Sequence, residues 1–187
     1  MKTQDTVLIA LFAALIVVLS LMPPIPLPAI PVPVTLQTLG TMLAGAMLGP
    51  VRGGLACLLY LLLAAIGLPV LPGGRGGLGV FFGPTGGFLV GMAAGAFVTG
   101  WLARRLAAPA RGGAAAVAAY AAACVAGGIL VVYAVGIPWL SAVTQMGLGK
   151  AALAVAAFVP GDLIKAVVAA SVAWRVERVW PLFRESP

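Results

Sequence analysis

Six apolar runs, separated by passages rich in proline, glycine or arginine, constrain this chain more than any other feature. They cover about Thr6–Met22, Thr35–Leu48, Arg52–Gly67, Pro84–Ala103, Gly113–Ile137 and Gly149–Trp174. A bilayer-spanning helix needs about 20 mostly apolar residues, with ~17–25 tolerated. The pattern therefore predicts an all-α integral membrane protein, one six-helix bundle over the 187 residues. The second and third runs are short, so they are expected to pack inside protein or to have their ends shielded by loops. A soluble alternative is closed off by composition: 63% of residues are hydrophobic and 8% charged, where a soluble domain carries ~25% charged. Lipid must solvate much of that apolar surface. The first run has the character of a signal-peptide core. Proline-rich sequence follows it instead of a small-residue cleavage site, so it reads as a retained helix.

The formal net charge of +7 is decided by placement. The arginines stand at the ends of apolar runs and are not interleaved with aromatics along one face, which argues against nucleic acid. With a cytoplasmic N-terminus and six crossings, Lys2, Arg52, Arg104, Arg105, Arg111, Arg175, Arg178 and Arg184 fall inside. Only Arg75 and Lys150 fall near the outside, the split expected of a positive-inside protein with both termini cytoplasmic. The chain has no histidine, which removes the commonest metal ligand and general base. Cys57 and Cys124 lie within apolar segments and read as buried thiols, not as a disulfide. No metal, cofactor or hydrolytic triad is expected.

The connecting passages differ in chemistry. Pro23-Pro24-Ile25-Pro26-Leu27-Pro28 through Ile30-Pro31-Val32-Pro33 cannot continue a helix, because proline lacks the N–H and clashes with the preceding turn. It is expected to form an extended apolar strap, either a plain connector or a lid. Gly73-Gly74-Arg75-Gly76-Gly77, Gly79 and Gly83-Pro84-Thr85-Gly86-Gly87 make a glycine-dense entry to the fourth helix. They lack the Lys-Ser/Thr ending of a nucleotide loop. The strap, the glycine passage and the loop Ile137–Gly149 would all be external.

One intramembrane pair bears on function. Asp162 and Lys165, in Val159-Pro160-Gly161-Asp162-Leu163-Ile164-Lys165, share a helical face at i, i+3. A charge at the bilayer centre costs about 2.5–3.5 kcal/mol on insertion scales, so the two need a protein-lined polar cavity or each other. Three readings follow: an ion pair that fixes helix rotation, a ligand site, or an acid–base pair of a small intramembrane enzyme. The last is poor without a second acid or a histidine. Thr35, Gln37 and Thr38 at the start of the second helix, Thr85 at the fourth, Tyr60 late in the third, and Ser141, Thr144 and Gln145 in the last external loop are further polar candidates. Gln37 ranks first among them, since an amide both donates and accepts. Small residues at Ala10, Ala13 and Ala14, and at Gly91 and Gly95, allow close helix packing. The first set suits a partner subunit, the second internal packing.

Four motifs in order resemble the BioY family: Val34-Thr35-Leu36-Gln37-Thr38-Leu39, Gly67-Leu68-Pro69-Val70, Gly83-Pro84-Thr85-Gly86-Gly87-Phe88-Leu89-Val90-Gly91 and Pro160-Gly161-Asp162-Leu163-Ile164-Lys165. These are biotin-capturing S components of energy-coupling-factor transporters. The resemblance implies a six-helix, non-enzymatic subunit of the bacterial inner (plasma) membrane. It also implies a biotin pocket near the external face, and delivery through one transmembrane coupling subunit and ATPase subunits. The ATPase must belong to a partner, because the chain has no Walker motif. Asp162 and Lys165 belong to the ligand site by this resemblance; on our own reading of biotin's shape, Asp162 would accept ureido N–H bonds. Lys165 would either donate to the ureido oxygen or hold Asp162 ionised. Arg75 is expected to meet the carboxylate, and Phe81, Phe82, Phe88 and Tyr60 to supply apolar walls. Ala10 and Ala14 are the expected contact for the transmembrane partner. An S component for another vitamin, a structural subunit without ligand, and a homo-oligomer stay open.

Overall fold

The computed structural model describes residues 2–26, 31–107 and 113–179. Leu27, Pro28 and Ile30 of the strap, and Arg111 and Arg184 among the expected inner charges, lie outside the described residues. The helices are α1 Thr3–Leu21, α2 Gln37–Leu48, α3 Pro50–Ala65, α4 Gly86–Leu106, α5 Gly113–Val125, α6 Val132–Thr144, α7 Leu148–Ala156 and α8 Val159–Val179. A 3₁₀ turn, Leu78–Phe82, precedes α4, and a wide π turn, Ala126–Val131, joins α5 to α6. Among the described residues there is no strand, only two isolated antiparallel bridges, Ile25 with Val34 and Leu71 with Arg75.

Three helical stretches are long and apolar enough to cross a membrane: α1, α4 and the continuous rod Gly113–Thr144. The bent pair α7 and α8 passes the same test jointly. At 1.5 Å per residue, the 12 residues of α2 reach only about 18 Å, short of a ~30 Å hydrocarbon core. This helix is instead the centre of the bundle: Gln37, Gly40 to Ala46 and Leu48 are all buried, and α1, α3, α4, α5 and α8 pack around it. Its shortness is tolerable because protein surrounds it.

The fifth helix runs past its expected end at Ile137 to Thr144, so most of the expected loop Ile137–Gly149 is helical. Pro138 stands just past that expected end. It is exposed in α6, and a single proline is accommodated in a membrane helix when neighbours and local adjustment satisfy the freed carbonyl. The sixth run breaks instead, with α7 and α8 bent by 54°. Pro160 occupies the first turn of α8, where its missing N–H has no intrahelical partner to lose. The Pro160-Gly161 pair therefore starts a helix within the run Gly149–Trp174 that was expected to be one.

Close packing follows from small residues. A Cβ on Gly95 would lie 2.5 Å from the Gly127 carbonyl oxygen, and one on Gly91 3.1 Å from Val132, so these glycines let α4 lie against the π turn and α6. On the Gly113–Thr144 rod, Ala116, Tyr120, Cys124, Gly128, Val132, Gly136 and Leu140 are all buried, a stripe of strict fourth residues. An uninterrupted α-helix would rotate such a stripe by about 40° per step. The π turn, with more residues per turn, takes up part of that drift and returns α6 to the interior.

Charges gather at one end of the bundle. Asp5 and Arg52 form an ion pair of 2.7 Å, joining the starts of α1 and α3. Arg104 Nη2 donates to the Leu48 carbonyl at 3.4 Å. Arg105 lies 4.2 Å over the Trp101 ring, and Arg178 5.1 Å over Trp174. Asp162, Lys165 and Arg75 belong to the opposite end, where α2, α4 and α8 begin.

Candidate functional site

The starts of α2, α4 and α8 meet the inward side of α6 beneath the two proline- and glycine-rich passages. Each passage is shaped by its backbone chemistry. In the strap, Ile25 and Val34 each keep an N–H among the prolines and exchange both bonds, at 2.9 Å each. The strap thus doubles back instead of making one extended pass, and Val32, Pro33 and Val34 are brought over the cavity. In the glycine passage, Gly73 and Gly74 adopt φ of 76° and 70°, left-handed values that glycine takes without steric cost. They turn the chain so that Leu71 N–H reaches the Arg75 carbonyl at 2.9 Å. The Trp139 indole N–H, on α6, donates to the Gly83 carbonyl at 2.9 Å and pins the far end of this passage.

Asp162 and Lys165 are 4% and 7% exposed, and their charges are fully engaged. Lys165 Nζ donates to Asp162 Oδ1 at 2.7 Å, to the Thr35 carbonyl at 2.6 Å and to Thr38 Oγ1 at 3.2 Å. An ammonium has three protons, so none is left over. Thr38 passes its own proton to Asp162 Oδ1 at 3.3 Å. Tyr133, on α6, donates to Asp162 Oδ2 at 2.6 Å. Burying an ion pair is costly unless further hydrogen bonds satisfy its remaining valences, and α2 and α6 supply them. Asp162 also sits in the first turn of α8, where the helix dipole favours a carboxylate.

This network forms the polar corner of an open cavity beneath the two passages, whose empty space, adjoining solvent included, is about 670 Å³. The other walls are apolar, with Leu71, Val80, Phe88, Leu89, Met92 and Val132 among them. Phe88 meets Tyr133 edge-on, with ring centroids 6.5 Å apart. An apolar chamber with one dense polar corner suits a flat ligand with a hydrogen-bonding head and a hydrocarbon body.

Of the residues expected from sequence, Asp162, Lys165, Gln37, Thr35, Thr38, Arg75, Thr85 and Phe88 line this one cavity. The Gln37 amide is buried and donates at 3.2 Å to the weakly accepting Met92 sulfur, which leaves it hydrogen-bonding capacity. Arg75 is exposed at the mouth, its Nε donating to the Pro72 carbonyl at 3.1 Å. Tyr60 is not in the lining. It is fully buried, its hydroxyl 2.9 Å from Ser20 Oγ and 3.5 Å from the Val70 carbonyl oxygen, so it ties α1 and α3 to the glycine passage. Phe82 faces away and is 73% exposed, and Phe81 packs on the core beside the cavity. Thr144 and Gln145 bond to Leu140 and Ala142 carbonyls at the end of α6, and with Ser141 they stay outside the lining.

Sequence reasoning missed Tyr133, Met92 and Phe158. Tyr133 carried a usable signal, a hydroxyl inside a long apolar run. Met92 and Phe158 carried none, because nothing local distinguishes them from core.

Comparison with known proteins adds to this geometry. Residues 1–182 match the family model described as the BioY family. The chain is 54% identical over 182 residues to "Biotin transporter BioY" of Rhizobium etli, covering 97% of both chains. It is 50% identical over 187 residues to the protein of the same name from Rhodobacter capsulatus, covering 95% of both. Its fold is similar to a crystal structure of the S-component for biotin from an ECF-type ABC transporter, with a TM-score of 0.88, 32% identity and 95% of both chains covered.

Proposed function

This chain belongs to the BioY family, and on that premise we propose that it is the biotin-capturing S component of an uptake transporter. It is a transport protein and not an enzyme. The observation that carries the reading is the buried Asp162–Lys165 pair, held by Tyr133, at the corner of a largely apolar cavity. Biotin has a flat ureido head, an apolar thioether ring and a carboxylate tail, and the cavity offers a counterpart to each. Asp162 accepts ureido N–H bonds. Lys165, its protons already committed to Asp162, Thr38 and Thr35, serves as the partner of Asp162 and has none to give the ureido oxygen. Gln37 and Thr85 supply further polar contacts, the Thr35 carbonyl anchors Lys165, and Phe88 walls the ring. Arg75 at the mouth meets the carboxylate. Tyr60, placed behind the glycine passage, supports the site from outside it.

In this reading the chain crosses the bacterial inner membrane six times with both termini cytoplasmic. The cavity end faces outward and the arginine-rich end inward, in line with the positive-inside rule. Capture is external, and release inward is driven by a transmembrane coupling subunit and ATPase subunits of an energy-coupling-factor module. Ala10 and Ala14 lie on the exposed face of α1, a smooth surface suited to the coupling subunit. The test is equilibrium binding of labelled biotin to the detergent-purified chain and to its Asp162→Asn variant. Tight binding lost in the variant supports the reading. No binding by folded wild type refutes it.

A further inference from the structure

The end of the bundle remote from the cavity carries a surplus of positive charge. Among the described residues it gathers Lys2, Arg52, Arg104, Arg105, Arg175 and Arg178 against two acids, Asp5 and Glu177. The packing of α4 fixes where part of that surplus stands. Gly100 lies on the turn between α2 and α3, where a Cβ would meet the backbone of Gly49 and Pro50. One helical turn on, the Arg104 guanidinium lies over Gly49 and leaves no room for a side chain there. Its Nη2 donates to the Leu48 carbonyl at 3.4 Å. The like charge of Arg52, in the first turn of α3, acts on it. Arg105 follows on the outward face, 4.2 Å over the Trp101 ring. Phe97, Trp101 and Arg105 recur at every fourth position and all are exposed, so an apolar stripe along α4 ends at two consecutive exposed arginines.

We infer that this end of α4 is a binding site for an anionic phospholipid, its phosphate held by Arg104 and Arg105 and its acyl chains laid along Trp101 and Phe97. Guanidinium groups meet phosphate oxygens through paired N–H bonds, and basic pockets between membrane helices take anionic headgroups. Like charges held close together repel, and an anion between them relieves that. An amphiphile with charge at one end and hydrocarbon at the other matches a stripe built the same way, whereas a free anion would use only the arginines. Trp101 stands at the boundary between the two, the level at which tryptophan settles in a bilayer. A protein occupant fits less well: α1, the proposed face for the coupling subunit, packs on α2 and α3, and the α4 stripe is no part of it. The inference goes beyond biotin capture and does not depend on it.

The test titrates phosphatidylglycerol, and phosphatidylcholine with the same acyl chains, into the detergent-purified chain and measures bound lipid by native mass spectrometry. Wild type is expected to prefer phosphatidylglycerol about tenfold or more. Arg104→Gln/Arg105→Gln should cut that preference to about threefold or less. Arg178→Gln, which removes an equally exposed arginine from α8, should leave the preference as in wild type. If the double variant does not fold, Arg105→Gln alone, whose guanidinium rests on Trp101, should cut the preference about fivefold. No preference in wild type overturns the inference. So does an unchanged preference in the folded double variant, which together with failed assembly with the coupling subunit would mark a protein interface instead. An equal loss in Arg178→Gln would show diffuse attraction to the whole charged end, and inorganic phosphate displacing the lipid at equal concentration would make this a free-anion site; either result overturns the inference.

Discussion

Replacing Lys165 by methionine tests whether the ion pair is as desolvated as its geometry states. The substitution keeps the length and apolar stem of the side chain and removes only the ammonium. Asp162, 4% exposed, is left as a carboxylate with the Tyr133 and Thr38 hydroxyls as its side-chain donors. The Thr35 carbonyl loses the donor 2.6 Å away. Removing one partner of a buried pair typically costs ~3–5 kcal/mol. Water reaching the cavity through its mouth moves the expectation to the lower end, about 3 kcal/mol. At roughly 2–4 °C per kcal/mol for a chain of this size, the melting temperature in detergent should fall by about 6–12 °C. The double variant Asp162→Asn/Lys165→Met buries no charge and should recover most of that loss, a coupling that a double-mutant cycle reads directly. Biotin binding should fail in the double variant even though its stability returns. A Lys165→Met protein melting within about 2 °C of wild type would contradict the desolvated pair. A double variant that binds biotin normally would reduce the pair to a helix-orienting role.

Three further outcomes are expected. Ala10→Leu/Ala14→Leu should leave biotin binding and melting temperature unchanged, since both side chains face outward, while abolishing uptake by the assembled transporter. Unchanged uptake would remove α1 as the contact. Arg75→Gln should weaken biotin but not biotin methyl ester, because only the free carboxylate pairs with the guanidinium; equal effects on the two would place the tail elsewhere. Trp139→Phe removes the indole donor to the Gly83 carbonyl, a bond contributing ~0.5–1.5 kcal/mol, and should speed biotin dissociation about fivefold by loosening the glycine passage. A dissociation rate equal to wild type would show that the passage is held by other contacts.

Much of the site was legible because the cost of burying charge in an apolar helix is a local property. Asp162 and Lys165 stand out in any reading of residues 159–165, and their i, i+3 spacing already requires a meeting. Thr35 and Gln37 were legible as polar residues at the start of an apolar run. Tyr60 was misjudged for the same kind of reason. A hydroxyl late in an apolar helix signals a hydrogen bond, but not whether the partner is a ligand or, as here, Ser20 of another helix. The fifth helix was expected to end at Ile137 but runs to Thr144, since a proline's intrinsic effect is local while its tolerance depends on the surroundings.

What the sequence by itself determined is the membrane class, the helical architecture and the residues whose polarity demands an internal partner. These follow from hydrophobicity, backbone hydrogen bonding and charge, all additive along the chain. Only the tertiary structure decided which partners those residues take. It set Tyr133 against Asp162 across 29 positions, and Thr35 and Thr38 against Lys165 across 130 and 127. Such pairings depend on the register of whole helices, and here on a single wide turn at Ala126–Val131. A shift of one residue rotates a helical side chain by about 100°, which no local preference in the sequence fixes.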